Sequence, residues 1–536
     1  MHSYFDGGIM KKVYFYLFIL INMCFLFFIY TNFTYSFCIN RNIRCYFDFK
    51  QEIRYEYWDT FDKKYSQDNF RYNRNYGFTS SKMRLGAGFA SSILDGYCQL
   101  NWTQFFSLPD DAEFGLGSLY YKFNGHFGGP NIYPDKAQNI GYMALSQFWI
   151  RFKPFIINGL KLKIGRFLYF SGLEGGIPKN ENLKWVKKLR ISQRMIGPFD
   201  WSRVGRAFDG IMASYDHSFW NFTVSYMHPT PGGFYLKRDD WRKNGKSSHR
   251  IDIITAALSI KDTNPYLSNV DTQLFYYYYN DNRQLFSNVK IINGHDYTAE
   301  LDGLGDCEIH MIGGHAIYVY DIGPGTMDFL LWGGYQWGNW GRGINGNDHV
   351  LTHDAWAIAI ETGYNFKNVL WKPWLRIGYF YGTGDNDPDD KKHNTFFMMI
   401  PTLRIYSLTP SYTFMNTHYI MGQIIIKPYK KVLLRSDVHF VSLTESKDFW
   451  YLGSGIMRPD KDSYAPISAH INREDKDLLS MWDISVFIKD VYHINKFKIG
   501  LDFYISHIWG GDVIKDAFKA HNELTFFYAE VRMTFK

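Results

Sequence analysis

The stretch Phe497-Lys498-Ile499-Gly500-Leu501-Asp502-Phe503-Tyr504-Ile505-Ser506 alternates without a break. Phe497, Ile499, Leu501, Phe503 and Ile505 are apolar, whereas Lys498, Gly500, Asp502, Tyr504 and Ser506 are charged, polar or small. Successive side chains of an extended chain point to opposite faces, so this is a strand with one face for an apolar medium and one for water. The last segment repeats it: Phe527, Ala529, Val531, Met533 and Phe535 alternate with Tyr528, Glu530, Arg532 and Thr534.

Working backwards, the pattern returns in Trp220 to Tyr226, where Asn221, Thr223 and Ser225 oppose the aromatic and aliphatic side chains. It returns again where Trp356, Ile358 and Ile360 oppose Ala357, Ala359, Glu361 and Gly363. Repeated alternating segments of roughly ten residues are the signature of a membrane β-barrel, lipid on one side and a wet lumen on the other. From Lys82 onward about nineteen such segments can be found, and single-chain bacterial barrels favour even numbers. The expected fold is therefore all-β, a transmembrane antiparallel β-barrel of about eighteen strands. A terminal strand ending in an aromatic residue suits such a barrel, with Phe535 penultimate and Lys536 after it.

Composition agrees. The chain has 536 residues, 19% of them aromatic, and no Pro-, Ser- or Gly-rich linker divides it. That aromatic content exceeds what a soluble core buries, but a barrel places aromatics in girdles at both membrane interfaces. The mean hydropathy of −0.29 is low because only every second strand residue faces lipid. After residue 36 no apolar run reaches the roughly 20 residues of a spanning helix. A soluble sandwich or solenoid would also alternate, but needs neither girdles nor an export signal.

That signal lies near the start. Lys11 and Lys12 precede the largely apolar Val13 to Tyr30, and small residues Thr34 and Ser36 follow, which is the layout of a secretory signal peptide over 10–36. A retained anchor is the rival reading. Residues 1–9 precede the basic region and read as a start-site extension, with synthesis beginning at Met10. The expected division continues with 37–80 as a periplasmic segment and barrel lead-in, and 81–536 as the barrel. Cys38 and Cys45 could pair in an oxidising periplasm or stay as packed thiols.

Long polar segments at Ser171 to Val204, Pro229 to Arg250, Gly338 to His353, Gly382 to Asn394 and Ser442 to Leu479 alternate with short turns. Long loops are expected outside the cell and short turns in the periplasm.

Several segments resemble the alginate-export family of outer-membrane porins: Gly165-Arg166 at a strand end, WSRVGRAFDG at Trp201 to Gly210, and the run from Ala355 to Pro401 with its GDxDP stretch at Gly384 to Pro388. The resemblance implies a monomeric eighteen-stranded barrel whose electropositive lumen passes an anionic polysaccharide. It assigns an arginine-lined path to Arg166, Arg206 and Arg376, with Arg203 in the same motif as Arg206.

Parity gives a check that owes nothing to the family. Arg376 lies on the lumen side of its strand, whereas Arg166 shares the parity of Leu160, Leu162 and Ile164 and needs a bulge or a rim position. On the clearer strands the lumen parity collects Lys82, Arg84, Arg151, Lys161, Lys163, Arg376, Arg435, Lys489, Lys498 and Arg532 against Glu361, Asp437, Asp483, Asp502 and Glu530. The expected substrate path is Arg166, Arg203, Arg206, Arg376, Arg435, Arg151 and Lys163, a basic lining that focuses field for anions. For any one residue, charge neutralisation within the lumen is the plainer reading.

Asp385, Asp387 and Asp389 have the spacing of early calcium-loop ligands, but Asp390 replaces the required Gly and Phe396 the closing Glu, so a solvated turn is favoured. No G-x-S-x-G, H-E-x-x-H or Walker loop occurs, which argues against an enzyme, and no cofactor is expected. Expected partners are outer-membrane lipid and an anionic polysaccharide, with a periplasmic export partner left open and no nucleic acid. The alternatives are a general diffusion porin for small solutes and a barrel acting as an adhesin.

Overall fold

The computed structural model describes residues 38–40, 43–59, 75–109, 138–154, 156–230, 248–282, 307–342, 350–387, 390–402, 404–409, 411–451, 466–467, 475–517 and 522–535. The expected signal peptide, the start-site extension and Asp389 lie outside them.

Eighteen long strands form the wall: β1 (Ile43–Trp58), β2 (Tyr76–Ala90), β3 (Leu94–Phe106), β4 (Ile140–Phe152), β5 (Leu160–Phe167), β6 (Phe208–Asp216), β7 (Trp220–Pro229), β8 (Ile251–Ile260) and β9 (Val270–Asp281) in the first half. The second half comprises β10 (Cys307–Ile322), β11 (Gly325–Arg342), β12 (Val350–Phe366), β13 (Trp374–Gly382), β14 (Thr417–Tyr429), β15 (Val432–Leu443), β16 (Asp477–Ile494), β17 (Phe497–Gly510) and β18 (Glu523–Phe535). Each pairs antiparallel with its neighbours in sequence, and β1 pairs with β18 through Ile53 opposite Val531. Closure removes both free edges, the only way a sheet satisfies its backbone in lipid.

The alternation read from sequence sets the faces. Trp220, Phe222, Val224 and Tyr226 are exposed on the outside while Asn221, Thr223 and Ser225 are buried inward. The same holds for Trp356 and Ile360 against Ala357, Ala359 and Glu361, and for Phe503 and Ile505 against Asp502, Tyr504 and Ser506. One boundary is corrected. The wall begins at Ile43 rather than at 81, so 37–80 is no lead-in: it holds all of β1 and the start of β2. Its buried inward residues Glu52, Arg54 and Glu56 are all charged, which hid the strand from a search for apolar alternation. Cys45, at the beginning of β1, is a free thiol.

Connections between strands alternate long and short, as expected. The expected loop Gly338 to His353 is shorter than read, because β11 runs to Arg342 and β12 starts at Val350. Two long connections do not extend outward. The first, residues 168–207, turns into the lumen and reaches the opposite mouth, where backbone N–H groups of Lys179 and Asn180 donate to Asp262 in a short turn. There it forms helix α1 (Glu181–Val186), capped by Asn180, whose side chain accepts from the N–H groups of Asn182 and Leu183. The second, residues 383–416, meets it: Ile196 and Ile400 form a parallel bridge, and Phe396, Phe397, Met398, Met399 and Ile400 are fully buried. The lumen at this level holds a hydrophobic core.

Candidate functional site

The charge of the lumen divides by origin. Among the described residues, the buried charged side chains of the strands are Arg54, Lys82, Arg84, Arg376 and Arg435 against Glu52, Glu56, Asp95, Asp271, Asp281, Asp328, Glu361, Asp437, Asp483, Asp502 and Glu530. The two infolded loops carry the reverse: Lys187, Arg190, Arg194, Arg203, Arg206 and Arg404 against Asp385. This count covers fully buried side chains alone; the lumen-parity cations Arg151, Lys161, Lys163 and Arg532 are only partly buried and stand outside it. The buried wall is acidic, and the arginines come from loops that parity could not assign.

Loop and wall fit together charge by charge. Arg203 donates from Nη1 to Glu530 at 3.0 Å and from Nη2 to the carbonyl of Glu52 at 2.9 Å. Arg54 donates to the same Glu530 carboxylate at 2.7 Å, and its guanidinium lies over the Trp201 ring. Asp200, beside Arg203, accepts from Lys82 at 2.9 Å and from Arg84; these two cations hold its carboxyl well below the usual range although burial pushes it up. Deeper, Lys187 pairs with Asp271 at 2.7 Å, and Arg190 with Glu361 at 3.2 Å.

Arg194 and Arg404 make no close ion pair with a carboxylate among the described residues. Arg194 donates to the carbonyl of Arg190 and to Tyr406 Oη at 2.8 Å, and stacks over Trp332. Arg404 lies on the Trp201 ring with Nε and Nη1 unpaired, and burial pushes its guanidinium well below its ordinary value. Unfilled guanidinium donors beside aromatic rings suit a carboxylate that also offers an apolar sugar face.

The expected path residues do not form one lining. Arg376 is buried between Asp328 and Glu361, and Arg435 donates to Asp437 at 2.5 Å and to the carbonyl of Tyr406. Arg203 and Arg206 sit inside the first loop; Arg206 bonds the carbonyls of Gly197 and Pro401, both at 2.9 Å, stitching the two loops together. Arg151 pairs with Asp95, which Lys153 shares at 2.7 Å. Lys163 stands over the Trp149 ring at 4.6 Å with no acidic partner among the described residues.

Arg166 is not in the lumen. It keeps the outward parity of Ile164 and makes a bidentate pair with Asp209, both contacts 2.6 Å, at the long-loop end of β5. The rim position that its parity required is what the structure shows. Gly165 before it has φ +119°, and a Cβ there would stand 2.3 Å from the carbonyl oxygen of Phe148, so this register tolerates only Gly.

The aspartates of the GDxDP stretch are structural as far as they are described. The backbone N–H of Asp385 donates to Asp448 Oδ2, and Asp385 Oδ1 accepts the N–H of Asp387. Burial and the neighbouring Asp448 push the Asp385 carboxyl up to about 7.

Sequence reasoning missed Lys187, Arg190, Arg194 and Arg404. A signal existed: the first loop carries Leu183, Val186, Ile191, Met195, Ile196 and Phe199, too many apolar residues for a solvated extracellular loop.

With this geometry in hand, the model of the alginate export family matches residues 51–526. The chain belongs to the alginate export family. No curated protein matches it. Solved structures share its fold at low identity. OccAB2 of Acinetobacter baumannii is 10% identical, with a TM-score of 0.51 over 91% of this chain and 98% of that one. OccAB3 of the same organism is 9% identical, with a TM-score of 0.51 over 91% and 99%. OccK9 (OpdG) of Pseudomonas aeruginosa is 9% identical, with a TM-score of 0.51 over 92% and 98%. This member of the alginate export family is a closed eighteen-stranded transport barrel of the bacterial outer membrane.

Proposed function

We propose that this barrel passes an anionic polysaccharide or oligosaccharide as a monomer, with the infolded loops forming an arginine-rich constriction that yields to the chain. The observation that carries this reading is the set of cations with no close carboxylate among the described residues: Lys163 toward the short-turn end, and Arg194 and Arg404 at the loop junction. A polyuronate presents a carboxylate on every residue and can exchange with the wall carboxylates that hold the remaining arginines. Exchange of one carboxylate partner for another costs less than stripping a buried cation bare.

The test is electrical. The refolded barrel is placed in a planar bilayer, and the reversal potential is measured under a salt gradient with and without a uronate oligomer. Anion selectivity with blockade by the oligomer is the expected result. Weak selectivity without blockade would favour a general diffusion porin for small solutes.

A further inference from the structure

Asp437 on β15 and Asp483 on β16 stand directly opposite each other in the barrel register, and both side chains are buried inward. Like charges in directly opposed positions repel, and burial removes the water that would screen them. Arg435 and Gln423 occupy Asp437, donating to its two oxygens. Among the described residues, no basic side chain is in hydrogen-bonding contact with Asp483. Neither of its oxygens makes a hydrogen bond of good geometry, although the hydroxyls of Ser407, Tyr504 and Ser506 surround it.

The third member is His439, two residues along β15 and fully buried. Its Nδ1 faces Tyr412 Oη at 3.5 Å, while Nε2 has no hydrogen-bond partner and lies 3.7 Å from Asp483 Oδ2. One ligand atom from each of Asp437, His439 and Asp483 lies within 4.8 Å of the others. Ligands around a tetrahedral zinc ion, bound at about 2.0–2.2 Å, stand about 3.3–3.6 Å apart, so closure on an ion needs shifts of a few tenths of an ångström for the His439 and Asp483 pair.

We infer that Asp437, His439 and Asp483 form a divalent transition-metal site in the lumen wall, with zinc as the ion its donors suit. One imidazole and two carboxylates match a borderline cation better than calcium, which takes six to eight oxygens. Tyr412 on Nδ1 is the outer partner that orients a metal-binding imidazole and leaves Nε2 for the ion. A small cavity of the second loop is lined by Ser407 and by Tyr412, whose hydroxyl faces His439. The bound ion ties β15 to β16 beneath that loop.

The test uses the full chain refolded in detergent, stripped with EDTA, incubated with zinc chloride and passed over a chelating resin. About one zinc ion per barrel is expected to remain, and to be lost from Asp483→Asn and His439→Gln, each verified as folded by heat-modifiable gel mobility. On the unaltered chain, cobalt(II) in place of zinc should give a visible spectrum more intense than that of the hydrated ion. Zinc that washes off the unaltered chain, equal retention by Asp483→Asn, or a hydrated-ion cobalt spectrum each overturns the site.

Discussion

Arg203 is the most informative residue to remove. Its guanidinium is buried and bridges Glu530 at 3.0 Å to the Glu52 backbone at 2.9 Å, with the Glu52 carboxylate 3.8 Å away. Arg203→Ala leaves Glu530 held by Arg54, with Arg532 4.0 Å away, and removes the loop's charged link to β1 and β18, leaving the Trp201 contacts with Arg54, Phe526 and Tyr528. Breaking a buried pair from one side costs about 3–5 kcal/mol. If that loss falls on the infolded state and not on the barrel, the displaced-loop population rises about 100- to 4,000-fold, at 1.4 kcal/mol per factor of ten. Single-channel recording should then show higher open probability or larger conductance, while heat-modifiable mobility reports an intact wall. Adding Glu530→Gln removes the carboxylate that Arg203 leaves behind, so the double variant should recover part of the loss, a coupling of about 1 kcal/mol or more. Conductance and gating identical to the unaltered chain would refute the electrostatic attachment of the loop, because the structure gives Arg203 no other role.

Three further outcomes follow from the same geometry. Lys163→Gln removes a half-exposed lumen cation with no acidic partner; a unit charge felt at about 6 Å in a water-like medium is worth about 0.7 kcal/mol, so the anion-to-cation permeability ratio should fall about threefold in reversal-potential measurements. Arg166→Gln should leave that ratio unchanged while lowering the urea midpoint, since its partner Asp209 shares the outward parity; altered selectivity would return Arg166 to the path. Asp385 has its folded-state pKa raised to about 7 by burial and Asp448, so its protonated form favours the packed loop. That contribution is full below the unfolded value near 4, is lost as pH rises to about 7, and is flat above. Hydrogen-exchange protection factors in the segment after Gly382, corrected for the intrinsic pH dependence of exchange, should therefore fall between about pH 4 and 7, and Asp385→Asn should abolish that fall.

The fold was legible because lipid imposes a period of two that lumen chemistry rarely disturbs. Phe503 and Ile505 against Asp502 and Tyr504 could be assigned to faces from the sequence alone, and Arg376 was placed inward although Trp374 and Phe380 share its parity. β1 was missed for the converse reason. Its inward face includes Glu52, Arg54 and Glu56, and its outward face mixes Gln51 with Tyr55 and Tyr57, so it reads as polar sequence until its partners β2 and β18 are known.

The site was less legible because parity counts only residues on strands. Counting the clearer strands favoured basic residues, yet the acids that outnumber them include Glu52 and Glu56 on the missed β1, Asp95 near a turn, and Asp271 and Asp328 on strands left out of the count. These carboxylates answer the infolded loops: Asp271 receives Lys187, Glu361 receives Arg190, and Glu530 receives Arg203. Buried carboxylates without such partners would cost several kcal/mol each, so an acidic wall predicts cationic loops inside it. Conversely, a barrel sequence in which inward acids outnumber inward bases, and whose long loops hold both arginines and apolar runs such as Phe396 to Ile400, carries the signature of an infolded constriction. The acid left over in that scheme is Asp483. Among the described residues no loop cation pairs with it, and it stands opposite a second carboxylate beside an unpaired imidazole nitrogen, which is why a metal ion is the counter-charge its surroundings call for.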